Sequence, residues 1–252
     1  MKIKFLGTGT STGVPEIGCK CEVCTSDNIK DRRLRASVLI QVEKKKILID
    51  CGPDFRQQMI GEEFTPIDGV LLTHEHHDHV GGLDDLRPFC KFDDIDIYSG
   101  AITLNALKLR LSYSFSEHKY PGVPTFRLHE INPDKIFSVH GIGIQPIKIM
   151  HYKLPILGYR IGNFAYLTDV KSIPEEEYSK LKELDVLVIN ALRIEEHMSH
   201  LNLAQALAEV EKIKPRKAYF THMSHHIGLH EKVQRLLPEN IYLPYDGLEI
   251  EV

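Results

Sequence analysis

The stretch Gly69-Val70-Leu71-Leu72-Thr73-His74-Glu75-His76-His77-Asp78-His79 decides the reading of this chain. Its first half is a short apolar run bounded by a glycine, which reads as a buried strand over 69–73. The strand delivers the chain into four histidines and an aspartate. Of these, His74, His76, Asp78 and His79 put three imidazoles and one carboxylate within six residues. Divalent cations such as Zn²⁺ and Mn²⁺ take that donor mixture. Random placement produces the spacing roughly 0.003 times per chain of this composition, so it is a specific signal. A merely solvated loop needs neither four histidines nor an apolar strand to aim it.

Outward from this point, the chain alternates short apolar runs with turn residues. Upstream, 2–6 forms a strand, and 36–42 pairs with 45–50 as a hairpin. Downstream come a helix from 82 to about 92, a strand at 95–99 and a helix at 101–110. Residues 111–134, with Pro121 and Pro124, read as an irregular segment able to cover a site. The second half repeats the logic with strands at 136–139, 142–149, 157–161 and 163–168 and a helix from Pro174. A buried strand at 184–190 precedes a helix at 203–213, capped by Asn202 and apolar along Leu203, Ala206, Leu207, Val210 and Ile213. A strand at 216–220, a helix near 230–237 and strands at 241–243 and 248–251 complete it. Two successive groups of strands, each followed by helices, predict an α/β protein with two sheets between helical layers, a single domain over 1–252.

Composition narrows the function classes. The 252 residues carry a formal net charge of −4, with 42% hydrophobic and 26% charged residues, so the chain is globular. The acidic balance argues against gripping long nucleic acid. No run approaches the 18 apolar residues of a membrane span, and the glycine-interrupted N-terminus is no signal peptide, so a cytoplasmic location is expected. Cys19, Cys21 and Cys24 cluster in a loop at about 7–35 and supply three corners of a tetrahedral zinc. The fourth ligand must come from elsewhere, and His225 and His226 are candidates. Cys51 and Cys90 read as small buried residues, and Arg32, Arg33 and Arg35 as solvated basic residues before a strand.

The His74-x-His76-x-Asp78-His79 loop resembles that of the metallo-β-lactamase superfamily, and the resemblance runs from about Phe5 to Gly247. It implies an αβ/βα four-layer sandwich with two mixed sheets and two divalent metal ions, Zn or Mn, at the sheet edges. His74 and His76 would then sit on one ion and Asp78 and His79 on the other. The remaining ligands would be His151, a bridging Asp169 and His222, each just past a predicted strand. Two cations held together lower the pKa of water and offset developing charge, so ester hydrolysis is the expected reaction. Ligating imidazoles need partners for their second nitrogen, and Asp50 is placed to supply one.

The cysteine cluster is similar to that of the PhnP-like phosphodiesterase branch, whose members carry an additional structural zinc. By that resemblance His225 is the fourth ligand of Cys19, Cys21 and Cys24, while His226 and His230 are surface histidines. The same branch implies a phosphodiesterase acting on small, cyclic phosphodiesters such as a ribosyl cyclic phosphate. His200 matches its general acid, with His197 a nearby competitor, and Asp78 joins His200 among the candidate catalytic residues. The implied partner is a small phosphorylated substrate, with no long nucleic acid and no membrane. The 111–134 segment is either a lid or a contact in a homodimer. Alternative readings are a thioester or lactone hydrolase of the same superfamily and a non-hydrolytic protein similar to PqqB of cofactor biosynthesis.

Overall fold

The computed structural model describes residues Met1–Val252. The first half contains β1 (Lys2–Gly7), β2 (Ser37–Val42), β3 (Lys45–Ile49), α1 (Phe55–Met59), β4 (Gly69–Leu71), α2 (His77–Val80), β5 (Ile95–Ser99), α3 (Ala101–Arg110), α4 (Ser112–Phe115) and β6 (Phe126–Glu130). The second half contains β7 (Phe137–Val139), β8 (Ile142–His151), β9 (Leu154–Ile161), β10 (Phe164–Leu167), β11 (Val186–Asn190), α5 (Leu203–Ile213), β12 (Lys217–Thr221), α6 (His230–Gln234), β13 (Ile241–Tyr242) and β14 (Glu249–Glu251). They form two seven-stranded mixed sheets, ordered β14-β1-β2-β3-β4-β5-β6 and β13-β12-β11-β10-β9-β8-β7. The last strand closes back onto the first, Ile3 opposite Ile250. No helix is long and apolar enough to cross a membrane.

Period-two alternation explains the layering, because successive strand residues face opposite sides. Ile47 and Ile49 of β3 meet Tyr159, Phe164 and Tyr166 in a cluster between the sheets, while Leu48 faces Phe55 and Leu104 on the helical side. In the second sheet Val186 and Val188 point to the same central cluster, and Leu187 and Ile189 pack with Val210 and Ile213 of α5. Strands covered on both faces read as continuous apolar runs, as β11 does. The molecule is therefore the expected sandwich of helices, sheet, sheet and helices.

Three local expectations need correction. The helix expected over 82–92 is a 3-10 segment, Leu83–Lys91, with Pro88 inside it. Proline lacks the N–H and obstructs the carbonyl four residues back, so an α-helix cannot run through. The segment expected over 174 onward is likewise a 3-10 helix, Glu175–Leu181. The third concerns 111–134, which holds α4 and then β6, hydrogen-bonded parallel to β5 with Ile97 opposite Leu128. Phe126 and Leu128 alternate with polar residues, a pattern that two prolines and the neighbouring loop overshadow. By contrast α5 begins and ends where the capping argument puts it. Asn202 accepts from the Gln205 N–H at 2.9 Å, and the Gln205 side chain accepts from the Asn202 N–H at 3.2 Å.

Candidate metal centre

The donors arrive from the carboxyl ends of four strands. Past β4 the chain turns through Thr73 and His74 into α2, which carries Asp78 and His79, while His77 points to solvent. His151 ends β8, Asp169 follows β10, and His222 follows β12. Asp50 (φ 61°), Asp169 (φ 58°) and His222 (φ 56°) all have left-handed backbone conformations. That region costs a non-glycine residue energy, and the neighbourhood of a functional centre is where such strain collects.

Asp169 is the hub. Its carboxylate is shared by three groups of mutually close donors: with Asp78, His79 and His222; with His74 and His76; and with His151 and His200. Asp169 Oδ1 is 3.5 Å from His79 Nε2 and 3.3 Å from His222 Nε2, and Oδ2 is 3.8 Å from His74 Nε2. His74 Nε2 and His76 Nδ1 face each other at 2.9 Å, and Asp78 Oδ2 lies 3.1 Å from His79 Nε2 and 3.2 Å from His222 Nε2.

The second nitrogens are tied down behind this cluster. His79 Nδ1 donates to Asp50 at 2.7 Å, as expected for Asp50, and His74 Nδ1 bonds Thr73 Oγ1 at 3.0 Å. Thr73 in turn donates through its N–H and hydroxyl to the Asp50 carboxylate, both near 3 Å. His151 Nδ1 donates to the Ser199 and Asp169 carbonyls at 2.9 and 3.1 Å. Such anchoring fixes tautomer and ring orientation.

The residues present fit divalent cations. His79 Nε2 is buried without a hydrogen-bond partner, although it is aimed at two carboxylates. Three buried carboxylates, Asp50, Asp78 and Asp169, surround these imidazoles and call for positive charge. Burial opposes ionisation of Asp78 and Asp169, yet the neighbouring histidines hold both below the usual carboxylate range. Burial also opposes charge on His79, and Asp78, Asp169 and Asp50 outweigh it and push His79 well above its ordinary value. Burial, with charge on His79, holds His74 low, so it offers a lone pair.

His200 enters the same centre. Its Nε2 is 3.2 Å from Asp169 Oδ2, and its ring stacks on His222 with centroids 4.9 Å apart. Burial pushes it down to about 4, against the pull of Asp169. Its Nδ1 lies 3.1 Å from Ser199 Oγ and 3.2 Å from His197 Nδ1, so His197 belongs to the network. The sequence reading gave Ser199 and Thr73 no role, although each directly precedes a singled-out histidine. Lys171 did too: its Nζ donates to the His197 carbonyl at 2.7 Å and steadies that loop.

A second donor group lies on the cysteine loop. Cys19, Cys21, Cys24 and His225 converge, with His225 Nδ1 3.5 Å from Cys19 Sγ and 3.2 Å from Cys21 Sγ. The Cys24 N–H points at Cys21 Sγ at 3.5 Å and, with His225, pulls that thiol down to about 6. Three thiolates and an imidazole suit tetrahedral zinc. His226 is exposed as expected, but His230 and Arg33 are not surface residues. Arg33 donates to Thr8 Oγ1 and the Pro244 carbonyl, both at 2.9 Å, and to His230 Nδ1 at 3.3 Å. These partners come from opposite ends of the chain, which is why the local sequence suggested solvated side chains.

Comparison with known proteins agrees with this geometry. The family model described as "Beta-lactamase superfamily domain" matches residues 45–223. An octanoyltransferase of Porphyromonas gingivalis is 47% identical over 251 residues, covering 99% of this chain and 51% of that protein. A ribonuclease Z of Methanococcus aeolicus is 29% identical over 196 residues, 75% of this chain and 52% of that protein. The chain thus spans about half the length of these curated relatives. The crystal structure of a diphosphatase from the PhnP family superposes with a TM-score of 0.93 at 39% identity, over 100% of this chain and 97% of that one. Fold and family match together place the chain in the metallo-β-lactamase superfamily, in its PhnP-like branch.

Proposed function

We propose that the chain is a metal-dependent phosphodiesterase of small substrates, cyclic phosphodiesters among them. His74 and His76, with His151 whose ring lies against both, would hold one divalent cation and Asp78, His79 and His222 a second, with Asp169 near both groups; Zn²⁺ and Mn²⁺ both suit these donors. When bound, the cations supply an activated water and offset charge on the phosphoryl oxygens. Asp50 and Thr73 keep His79 and His74 oriented, and the Ser199 carbonyl does the same for His151.

The observation that carries the reading is the position of His200, a buried imidazole standing on the shared carboxylate. A phosphodiester expels an alkoxide, which leaves readily only with a proton. An anionic phosphate beside His200 favours the charged imidazole, so proton uptake accompanies substrate binding. The structural likeness to the PhnP-family diphosphatase supports phosphoryl chemistry. The test is His200→Ala: a loss of about 10²–10⁴ in rate on alkyl diesters, much smaller when p-nitrophenolate leaves. Equal losses on both would make His200 a binding residue, and no loss would remove it from the mechanism.

A second reading, acyl ester or thioester hydrolysis, draws on the octanoyltransferase relative, whose other half lies outside the match. Turnover of bis-p-nitrophenyl phosphate beside that of an octanoyl thioester separates the two.

A further inference from the structure

A cavity of about 440 Å³ is lined in part by Thr73 and Met150, the chain neighbours of His74 and His151, and takes no part in the chemistry above. It opens between the start of α3, the end of β6 and the strands β8 and β9. Much of its exposed wall is apolar, with Ile102, Ile131, Met150, Pro155, Ile156 and Leu157 among the lining residues. Two of its lining residues join it to the centre. Thr73 directly precedes and hydrogen-bonds His74, and Met150 directly precedes His151. The Leu157 N–H donates to the Thr73 carbonyl at 3.1 Å, so wall and centre share one backbone frame.

Charge at the cavity excludes a second anionic group. Glu130 and Glu176 line it, and its lysine, Lys148, is committed to Asp134 at 2.8 Å and Glu177 at 3.7 Å. Concave, mostly apolar cavities of a few hundred Å³ are the usual form of small-molecule sites. We propose that this cavity is a subsite for an uncharged alkyl or aryl substituent of the ester whose phosphate occupies the metal centre. The proposal rests on the phosphodiesterase reading and adds a substrate class to it: a diester with one apolar arm.

The test compares methyl, butyl and hexyl p-nitrophenyl phosphates, together with equilibrium binding of the neutral probe dansyl-hexylamide to the full chain by fluorescence. A fully buried methylene gains about fourfold at most, so with only part of the five extra methylenes buried hexyl is expected to exceed methyl by about tenfold or more in kcat/KM, through KM. Ile102→Glu puts a carboxylate in the first turn of α3, where it is tolerated electrostatically, and Ile102 is 56% exposed. In this variant the hexyl-to-methyl ratio is expected to fall toward one and probe binding to weaken about tenfold. The ratio is taken within one preparation, so a loss of folded protein cancels. A flat chain-length profile without saturable probe binding overturns the subsite and leaves the phosphodiesterase reading standing. No turnover of any diester, with saturable probe binding lost in Ile102→Glu, overturns that reading and leaves the apolar subsite. Failure of both measurements removes both.

Discussion

At the scale of single residues, the centre depends most on Asp169, which stands between donors from every contributing strand. Asp169→Ala removes an acceptor facing His74, His79, His200 and His222 together. It is expected to empty the active site of metal and lower turnover by about a hundredfold, while metal on the cysteine cluster is expected to stay. Metal analysis by mass spectrometry checks this, and full metal content with unchanged rate would refute the shared-carboxylate assignment. Away from the centre, His230 and Asp246 pull stability in opposite directions with pH. Burial, helped by Arg33 and Lys30, pushes His230 down to about 4, although Asp31 opposes this. The unfolded chain therefore takes up a proton between pH 6.5 and 4 that the folded chain refuses, and stability falls with pH across that window. Burial pushes Asp246 up to about 6, against the Leu34 N–H, Thr8 and Arg33. Its folded form keeps a proton that the unfolded form loses above 3.8, so stability falls as pH rises toward 6. His230→Asn is expected to lose less Tm than the parent between pH 6.5 and 4.5, and Asp246→Asn to lose more. Parallel slopes in all three proteins would show that neither group titrates as described.

At the scale of elements, the ligand loop is seated on the turn that follows β3. The Cys51 N–H donates to the His79 carbonyl at 2.7 Å, and the Gly82 N–H to the Cys51 carbonyl at 2.9 Å. The contact leaves no room for a side chain: a Cβ on Gly52 would stand 2.2 Å from the Asp78 carbonyl oxygen. Glycine is required here by close approach of two backbones. Gly52→Ala must displace the loop that carries Asp78 and His79, at a cost of about 1–3 kcal/mol. Weaker active-site metal binding, read by chelator competition, and a lower Tm are the expected outcome. Native values of both would refute the requirement for glycine at position 52. On the other sheet, the capping box starting α5 also serves the centre, because Lys171 bridges the Gln205 side chain and the His197 carbonyl.

For the whole molecule, the cysteine site joins residues that are about 200 positions apart in the chain, Cys21 and His225 being separated by 204. The loop from Gly7 to β2 has little regular structure beyond a 3-10 turn at Ile29–Asp31. A zinc ion there would bind the folded chain and not the unfolded one, so its binding free energy would add to stability and tie this loop to the turn after β12. Cys21→Ser is expected to lower Tm and zinc content, while activity per folded molecule changes less. Mild chelation is expected to strip the His and Asp centre first. Unchanged Tm and metal content in Cys21→Ser would rule out a structural zinc.

What the sequence determined by itself was local in origin. Apolar alternation marked most strands, Asn202 marked the start of α5, and the spacing of His74, His76, Asp78 and His79 marked a cation site. Period and capping act over a few residues, so they survive being read one window at a time. Tertiary structure alone decided which strands share a sheet, since strands pair across distances that no window covers. It alone brought Asp169 within reach of donors from β4, β8 and β12, a role that the family resemblance implied but no spacing in the sequence showed. It alone buried Arg33 and His230, whose partners Thr8, Asp31 and Pro244 come from both ends of the chain. The cavity at Ile102 and Met150 is of the same kind, a surface assembled from α3, β8 and β9 that exists only once the sheets have met.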